Sequence, residues 1–113
     1  MTDTPREKRK FPRIPAEKPL LVKKIGDDAS ESLAKTRTVG GGGCMFVHHE
    51  TLGVGSAVEL LISLQTRVIK AHGRVVWEVV TAPGHVEVGV EFVMISADDR
   101  KTLASALAKR PAR

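Results

Sequence analysis

Val39-Gly40-Gly41-Gly42-Gly43-Cys44-Met45-Phe46-Val47 is the stretch from which the fold can be read. Each glycine gives up more backbone freedom on folding than any other residue, so four in a row have to return something. Glycine reaches positive φ and lets another group come close to the backbone. An apolar run follows at once. The stretch predicts a tight corner without side chains that opens into a strand, Cys44 to Val47. His48-His49-Glu50 leads out of that strand. On the near side, Leu33 to Val39 reads as a strand running into the corner.

Working outward, Pro19 ends an N-terminal arm and Leu20 to Ile25 reads as the first strand, closed by Gly26-Asp27-Asp28. Residues 27–32 are polar and acidic and read as a loop. Beyond the corner, Leu52-Gly53-Val54-Gly55-Ser56 is a turn cluster. From Ala57 to Leu64, Val58, Leu60, Ile62 and Leu64 share one face while Glu59 and Ser63 share the other, the period of a half-buried strand. After the turn Gln65-Thr66-Arg67 comes a long strand, Val68 to Val80. There Ile69, Ala71, Gly73, Val75, Trp77 and Val79 point one way, against Lys70, His72, Arg74 and Glu78. Gly73 in mid-strand predicts a bulge or bend. Thr81 to Gly84 turns the chain, and Val86, Val88, Val90 and Phe92 then alternate with Glu87, Gly89 and Glu91. A helix closes the chain. Ser96 suits the N-cap, Asp98 and Asp99 the first turn, and Lys109 and Arg110 the C-terminal end. Leu103, Ala106 and Leu107 line one side. Six or so strands at short spacing and one terminal helix predict an all-β fold, a small antiparallel β-barrel with a C-terminal α-helix.

The 113 residues make one domain with ragged ends, long enough for a hydrophobic core of its own. Residues 1–15 read as a flexible basic arm, 16–109 as barrel plus helix, and 110–113 as a tail. The single cysteine, Cys44, excludes an internal disulfide and fits a reducing compartment. The start lacks the apolar segment of a secretory signal and no run is long enough to span a membrane, so a cytoplasmic location is expected. The net charge is +5, and eight of the 18 lysines and arginines fall in the first 24 residues. Such an arm either is simply solvated or meets an anionic partner.

Catalysis finds little support. His48, His49, His72 and His85 include no pair at the helical spacing of a zinc site, and no metal is expected. Cys44 sits among apolar neighbours and reads as buried and inert. The glycine run lacks the Lys-Ser or Lys-Thr of a phosphate loop. The chain is therefore not expected to be an enzyme, and no cofactor is implied. Nor is a nucleic acid expected: Phe46, Trp77 and Phe92 read as core, leaving only Phe11 among basic residues for stacking on bases. Arg9-Lys10-Phe11-Pro12-Arg13 is more informative. Two guanidinium groups four residues apart suit a ligand with guanine bases and phosphates.

Taken in order, Arg9-x-x-x-Arg13, Gly42-Gly43-Cys44-Met45-Phe46-Val47, Gly73-Arg74-Val75-Val76-Trp77, Val88-Gly89-Val90-Glu91-Phe92 and Asp98-Asp99-Arg100 resemble a PilZ domain over about residues 6 to 108. The resemblance implies a six-stranded antiparallel β-barrel with the C-terminal α-helix. It also implies binding of cyclic di-GMP, a bacterial second messenger, with changed protein-partner interactions as the output. The family's ligand motifs are Arg-x-x-x-Arg and Asp/Asn-x-Ser-x-x-Gly. Arg9 and Arg13 supply the first. The second aligns with Thr38, Gly40 and Gly43, and so reads Thr-x-Gly-x-x-Gly. Arg6, Lys10 and Arg74 are further candidates for the site. Thr38 offers one uncharged hydroxyl and Gly40 none, so the alternative is an adaptor that has lost the ligand and acts through a protein partner in motility, pilus or secretion control.

Overall fold

In the computed structural model, which describes residues 14–26, 29–65 and 67–108, the alternating stretches become strands with one buried face each. The elements are β1 (Ile14–Pro15), β2 (Pro19–Lys24), β3 (Ser30–Gly40), β4 (Gly43–His48), β5 (Ala57–Ser63), β6 (Val68–Ala82), β7 (His85–Ile95) and α1 (Ala97–Ala108). Neighbouring strands run β3-β2-β5-β6-β7-β4, and β4 pairs back onto β3. This closes a six-stranded antiparallel barrel with one C-terminal helix, as the sequence predicts. Among the described residues each of these six strands has a neighbour on both sides over part of its length. The short β1 lies beside the last part of β3, with Ile14 opposite Val39 and Pro15 opposite Thr38.

The inward side chains fill the barrel. Leu20 and Val22 of β2, Phe46 of β4, Leu60 and Ile62 of β5, Ile69 of β6 and Val88 and Val90 of β7 are all buried. Burying a side chain of this kind is worth about 1.5–3 kcal/mol each, which offsets the entropy of ordering short strands. Leu103 of α1 is fully buried, with Ala106 and Leu107 packed beside it. The helix begins where the sequence places it: the Ser96 Oγ accepts the Asp99 N–H at 3.0 Å. Asp99 also accepts from Arg67 at 2.7 Å and from the Lys70 N–H at 3.1 Å, tying the first turn of α1 to the start of β6.

Three differences from the sequence reading have local causes. β3 begins at Ser30, so residues 30–32 are strand rather than loop. Their polarity is matched across the ladder, where Lys23 faces Glu31, and inside, where Ser32 Oγ bonds His48 Nε2 at 2.5 Å. Ile14 and Pro15, read as part of the arm, pair with β3. The third concerns Trp77 and Val79, expected to continue the buried face of β6. The pairing with β7 shifts between Val75 and Trp77, leaving Val76 as an extra residue. The bulge reverses the facing, so Trp77 stands on the outer surface, half-buried over Gly89, and Val79 is exposed. A second shift falls beside Gly73, where a bend is expected.

Candidate functional site

The glycine run forms the end of the β3–β4 hairpin. Gly40 pairs with Gly43, and Gly41-Gly42 makes the turn. Among the described residues the positive-φ glycines are Gly26, Gly53, Gly55 and Gly84, so the run does not use the left-handed region. The turn is held from two sides. The Phe92 N–H donates to the Gly42 carbonyl at 2.8 Å. Arg100, in the first turns of α1, donates from Nη1 to the Gly41 carbonyl at 2.9 Å. Short two-residue turns have few internal bonds, and these contacts fix this one against β7 and the helix.

Thr38 is half-buried and faces outward between Pro15 on one side and Met45 on the other. Its facing follows from a bulge: Thr36 pairs with Phe46 and Thr38 with Met45, so Arg37 is the extra residue of β3. Thr36 points inward and is fully buried, yet both its bonds are made. Its Oγ1 donates to the Ala16 carbonyl at 2.6 Å and accepts the Lys18 N–H at 2.8 Å. The Ala16 N–H donates to the Arg37 carbonyl at 3.0 Å, and the Thr36 N–H to the Lys18 carbonyl at 3.0 Å. Residues 14–18 are thus bonded along β3 up to the corner.

The register places the described candidates in one outer region. Gly40, Gly43, Glu91 and Arg74 follow one another across β3, β4, β7 and β6. At about 4.8 Å per strand, Arg74 lies roughly 10 Å from Gly43. The next row runs Thr38, Met45, Gly89 and Trp77. Arg74 and Glu91 are exposed. Arg6, Arg9, Lys10 and Arg13 lie outside the described residues. Ile14, which follows Arg13 in the chain, is the residue opposite Val39, one position before Gly40.

Several residues here escape a sequence reading. Arg37 is exposed beside Thr38; its neighbour in sequence was the signal, but the bulge that presents it was not visible. Arg100 reaches a carbonyl 59 positions away, a separation that no local pattern reports. Glu78 is similar: its carboxylate accepts the Leu52 N–H at 2.6 Å and the Gly53 N–H at 3.1 Å and so holds the loop before β5.

Other polar groups are accounted for structurally. His48 is buried; its Nδ1 bonds the Glu50 carbonyl at 2.7 Å while Nε2 meets Ser32. The distances fit an Nδ1–H donating to the carbonyl and an Nε2 accepting from the hydroxyl, a satisfied core histidine. Glu59 sits between Lys23 at 3.3 Å, His72 at 3.3 Å and Lys70 at 3.8 Å. The hydrogen bond from Lys23 holds its carboxyl below the usual carboxylate range, against the opposing effect of partial burial and with help from the charges of Lys70 and His72. No group of three or more His, Cys, Asp or Glu positioned for a metal occurs among the described residues. No described helix is long and apolar enough to cross a membrane.

Comparison with known proteins fits this geometry. The family model for the PilZ domain matches residues 7–109. No curated protein sequence matches the chain. Among solved structures, the Bacillus subtilis inhibitor of motility MotI/DgrA superposes with a TM-score of 0.73 at 18% identity, covering 92% of this chain and 54% of its own. The K. pneumonia MrkH–c-di-GMP complex superposes with a TM-score of 0.69 at 13% identity, covering 89% of this chain and 51% of its own. A further MrkH structure, described as a c-di-GMP-dependent transcription regulatory factor, gives 0.65 at 14% identity over 92% of this chain and 53% of its own. The chain spans about half the length of these proteins. At such identities the likeness concerns the fold.

Proposed function

The chain belongs to the PilZ domain family, and from that premise we propose that it is a receptor for cyclic di-GMP that passes the signal on through a protein partner. The observation that carries the reading is the pairing of Ile14 with Val39 and Pro15 with Thr38. It sets the chain that follows Arg13 beside the end of β3, next to the glycine corner, which supports reading the two halves of the ligand motif as one site. In this reading Arg9 and Arg13 hold guanine edges and phosphate, with Arg6, Lys10 and Arg74 adding positive charge. Gly40 and Gly43 let the ligand lie close to the backbone, and Thr38 offers its hydroxyl. Residues 1–15 act as the ligand-binding arm, 16–109 as the barrel and helix, and 110–113 as a tail. The site works by binding rather than catalysis, and the protein acts in the cytoplasm.

Titration calorimetry of the purified chain with cyclic di-GMP, with GMP as control, tests this. Heat is expected with the cyclic dinucleotide only, and it is expected to disappear in Arg9→Ala and Arg13→Ala. Heat that persists unchanged in both variants removes the assigned site. The second reading, an adaptor without ligand, is favoured by Gly40, which has no hydroxyl where the motif has serine. It is the outcome if no heat develops at about tens of micromolar and a protein partner is captured regardless of nucleotide.

A further inference from the structure

The outer surface of β2, β3 and β5 carries an apolar row that neither the core nor the candidate site uses. Leu33 pairs with Leu21, and Leu21 with Leu61, so three leucines stand side by side across the strands. Leu33 is 81% exposed and Val68, at the far side, 56%. Between them lies an open groove of about 260 Å³, floored by Leu21 and Leu61 and flanked by Pro19 and Ser63. Solvated antiparallel faces ordinarily carry polar residues at these positions. Exposed apolar residues in one contiguous patch mark a contact surface.

The charges around the row say what covers it. On one side of the leucines β3 presents Lys35, level with Pro19; on the other it presents Glu31, level with Lys23. Thus β3 reads Glu31, Leu33, Lys35 along its outward face, opposite charges at equal distances from the exposed leucine. We propose that this face is a self-association surface and that its occupant is a second copy of the chain, related by a two-fold axis lying along the leucine row. That axis sets Leu33 on Leu33 and exchanges the flanking rows. Each Lys35 then meets the other copy's Glu31, twice per dimer, and joins the exposed pair that Glu31 makes with Lys23 of its own chain at 3.7 Å. The competing two-fold, parallel to the strands through β2, would set Glu31 against the other copy's Glu59, two like charges, and is disfavoured. An isologous contact of this kind closes as a dimer and cannot run on into a filament.

The patch is small. Three strands about 4.8 Å apart and three same-face positions about 6.8 Å apart give roughly 300 Å² on each copy, well below the ~1,200–2,000 Å² of a standard interface. The dimer is therefore weak, reversible and governed by local concentration. It does not depend on ligand binding at the glycine corner.

Sedimentation equilibrium of the full chain from about 10 µM to about 1 mM tests the proposal. The average mass is expected to rise from the 12.2 kDa monomer towards twice that value. Leu33→Asp, at a position too exposed to support the fold, is expected to remain monomeric throughout with an unchanged melting temperature. Glu31→Lys and Lys35→Glu singly weaken the dimer. The double variant restores it, because the exchanged charges again face each other. A wild-type chain that stays monomeric at the highest concentration overturns the proposal. So does a dimer that survives Leu33→Asp, or a double variant that associates no better than the single ones.

Discussion

Gly73 is the position where the structure makes the sharpest demand on residue type. It is buried in β6, opposite Val58 of β5 and Phe92 of β7, next to a register shift. A Cβ added there would fall 2.6 Å from Val90 Cγ1 and 2.7 Å from the backbone oxygen of Glu91. The valine methyl can turn; the carbonyl cannot move without displacing β7 from its ladder. Gly73→Ala therefore overpacks a site with backbone on one side, at about 1–3 kcal/mol. Replacing glycine in a strand returns about 0.5–1 kcal/mol by restricting the unfolded chain. The overpacking wins, and a net loss of about 1–2 kcal/mol is expected. Urea unfolding followed by the fluorescence of Trp77, the single tryptophan, reads this directly. At an m-value of about 2 kcal/mol/M the midpoint falls by about 0.5–1 M with m unchanged. A midpoint equal to or above that of the wild type would refute the reasoning, because it would mean β7 yields at no cost.

Three further outcomes follow from single contacts. Glu78→Ala leaves the buried Leu52 N–H without its acceptor and is expected to cost about 1–3 kcal/mol in urea unfolding, whereas Glu78→Gln, which keeps one oxygen, costs less. Glu59 has a folded pKa lowered chiefly by Lys23, so its contribution to stability is full above the ordinary carboxylate pKa and is lost as pH falls through the lowered folded value; Glu59→Gln is expected to flatten that acid limb in unfolding measured across pH. Thr38→Asp combined with Gly40→Ser returns hydrogen-bonding groups worth about 0.5–1.5 kcal/mol each, or about 1.5–3 where charged, and is expected to tighten cyclic di-GMP binding at least about tenfold in calorimetry; unchanged affinity counts against the placement of the motif.

The barrel was legible because the strands that decide it bury one face only. Val58, Leu60 and Ile62 in β5, and Val86, Val88, Val90 and Phe92 in β7, alternate without interruption, and all are buried. The reading anticipated the shift beside Gly73 and failed at the one between Val75 and Trp77. A single extra residue at Val76 turned Trp77 from the expected core to the outer face, and nothing in the local sequence announces that shift. The start of β3 was missed for a different reason. Ser30, Glu31 and Ser32 have poor strand composition, and their pairing with β2 overrides it. At the candidate site, the corner itself was visible as a composition anomaly. Its anchors were not, since Arg100 and Phe92 reach it from elements brought near only by closure of the barrel.

What the glycines do is constrained by what they do not do. Gly40, Gly43 and Gly89 lie in strands, and none is among the positive-φ glycines of the described chain. Backbone conformation gives no reason for them, yet each costs about 0.5–1 kcal/mol relative to alanine, a noticeable part of a total stability of about 5–15 kcal/mol. For Gly89 the return is visible: a Cβ would fall 2.1 Å from Trp77 Nε1, so the missing side chain is the seat of the indole. Gly40 and Gly43 lie on the outer side in the neighbouring row and are themselves buried, on a turn that Phe92 and Arg100 already hold in place. A turn fixed in this way and free of side chains needs no reordering to meet a flat, polar ligand, which is the form in which close approach is most favourable. That reasoning supports a site at the corner whether or not serine is present at position 40. It also locates the difference between a receptor and an adaptor in a few side-chain hydrogen bonds, where calorimetry on the restored motif can measure it.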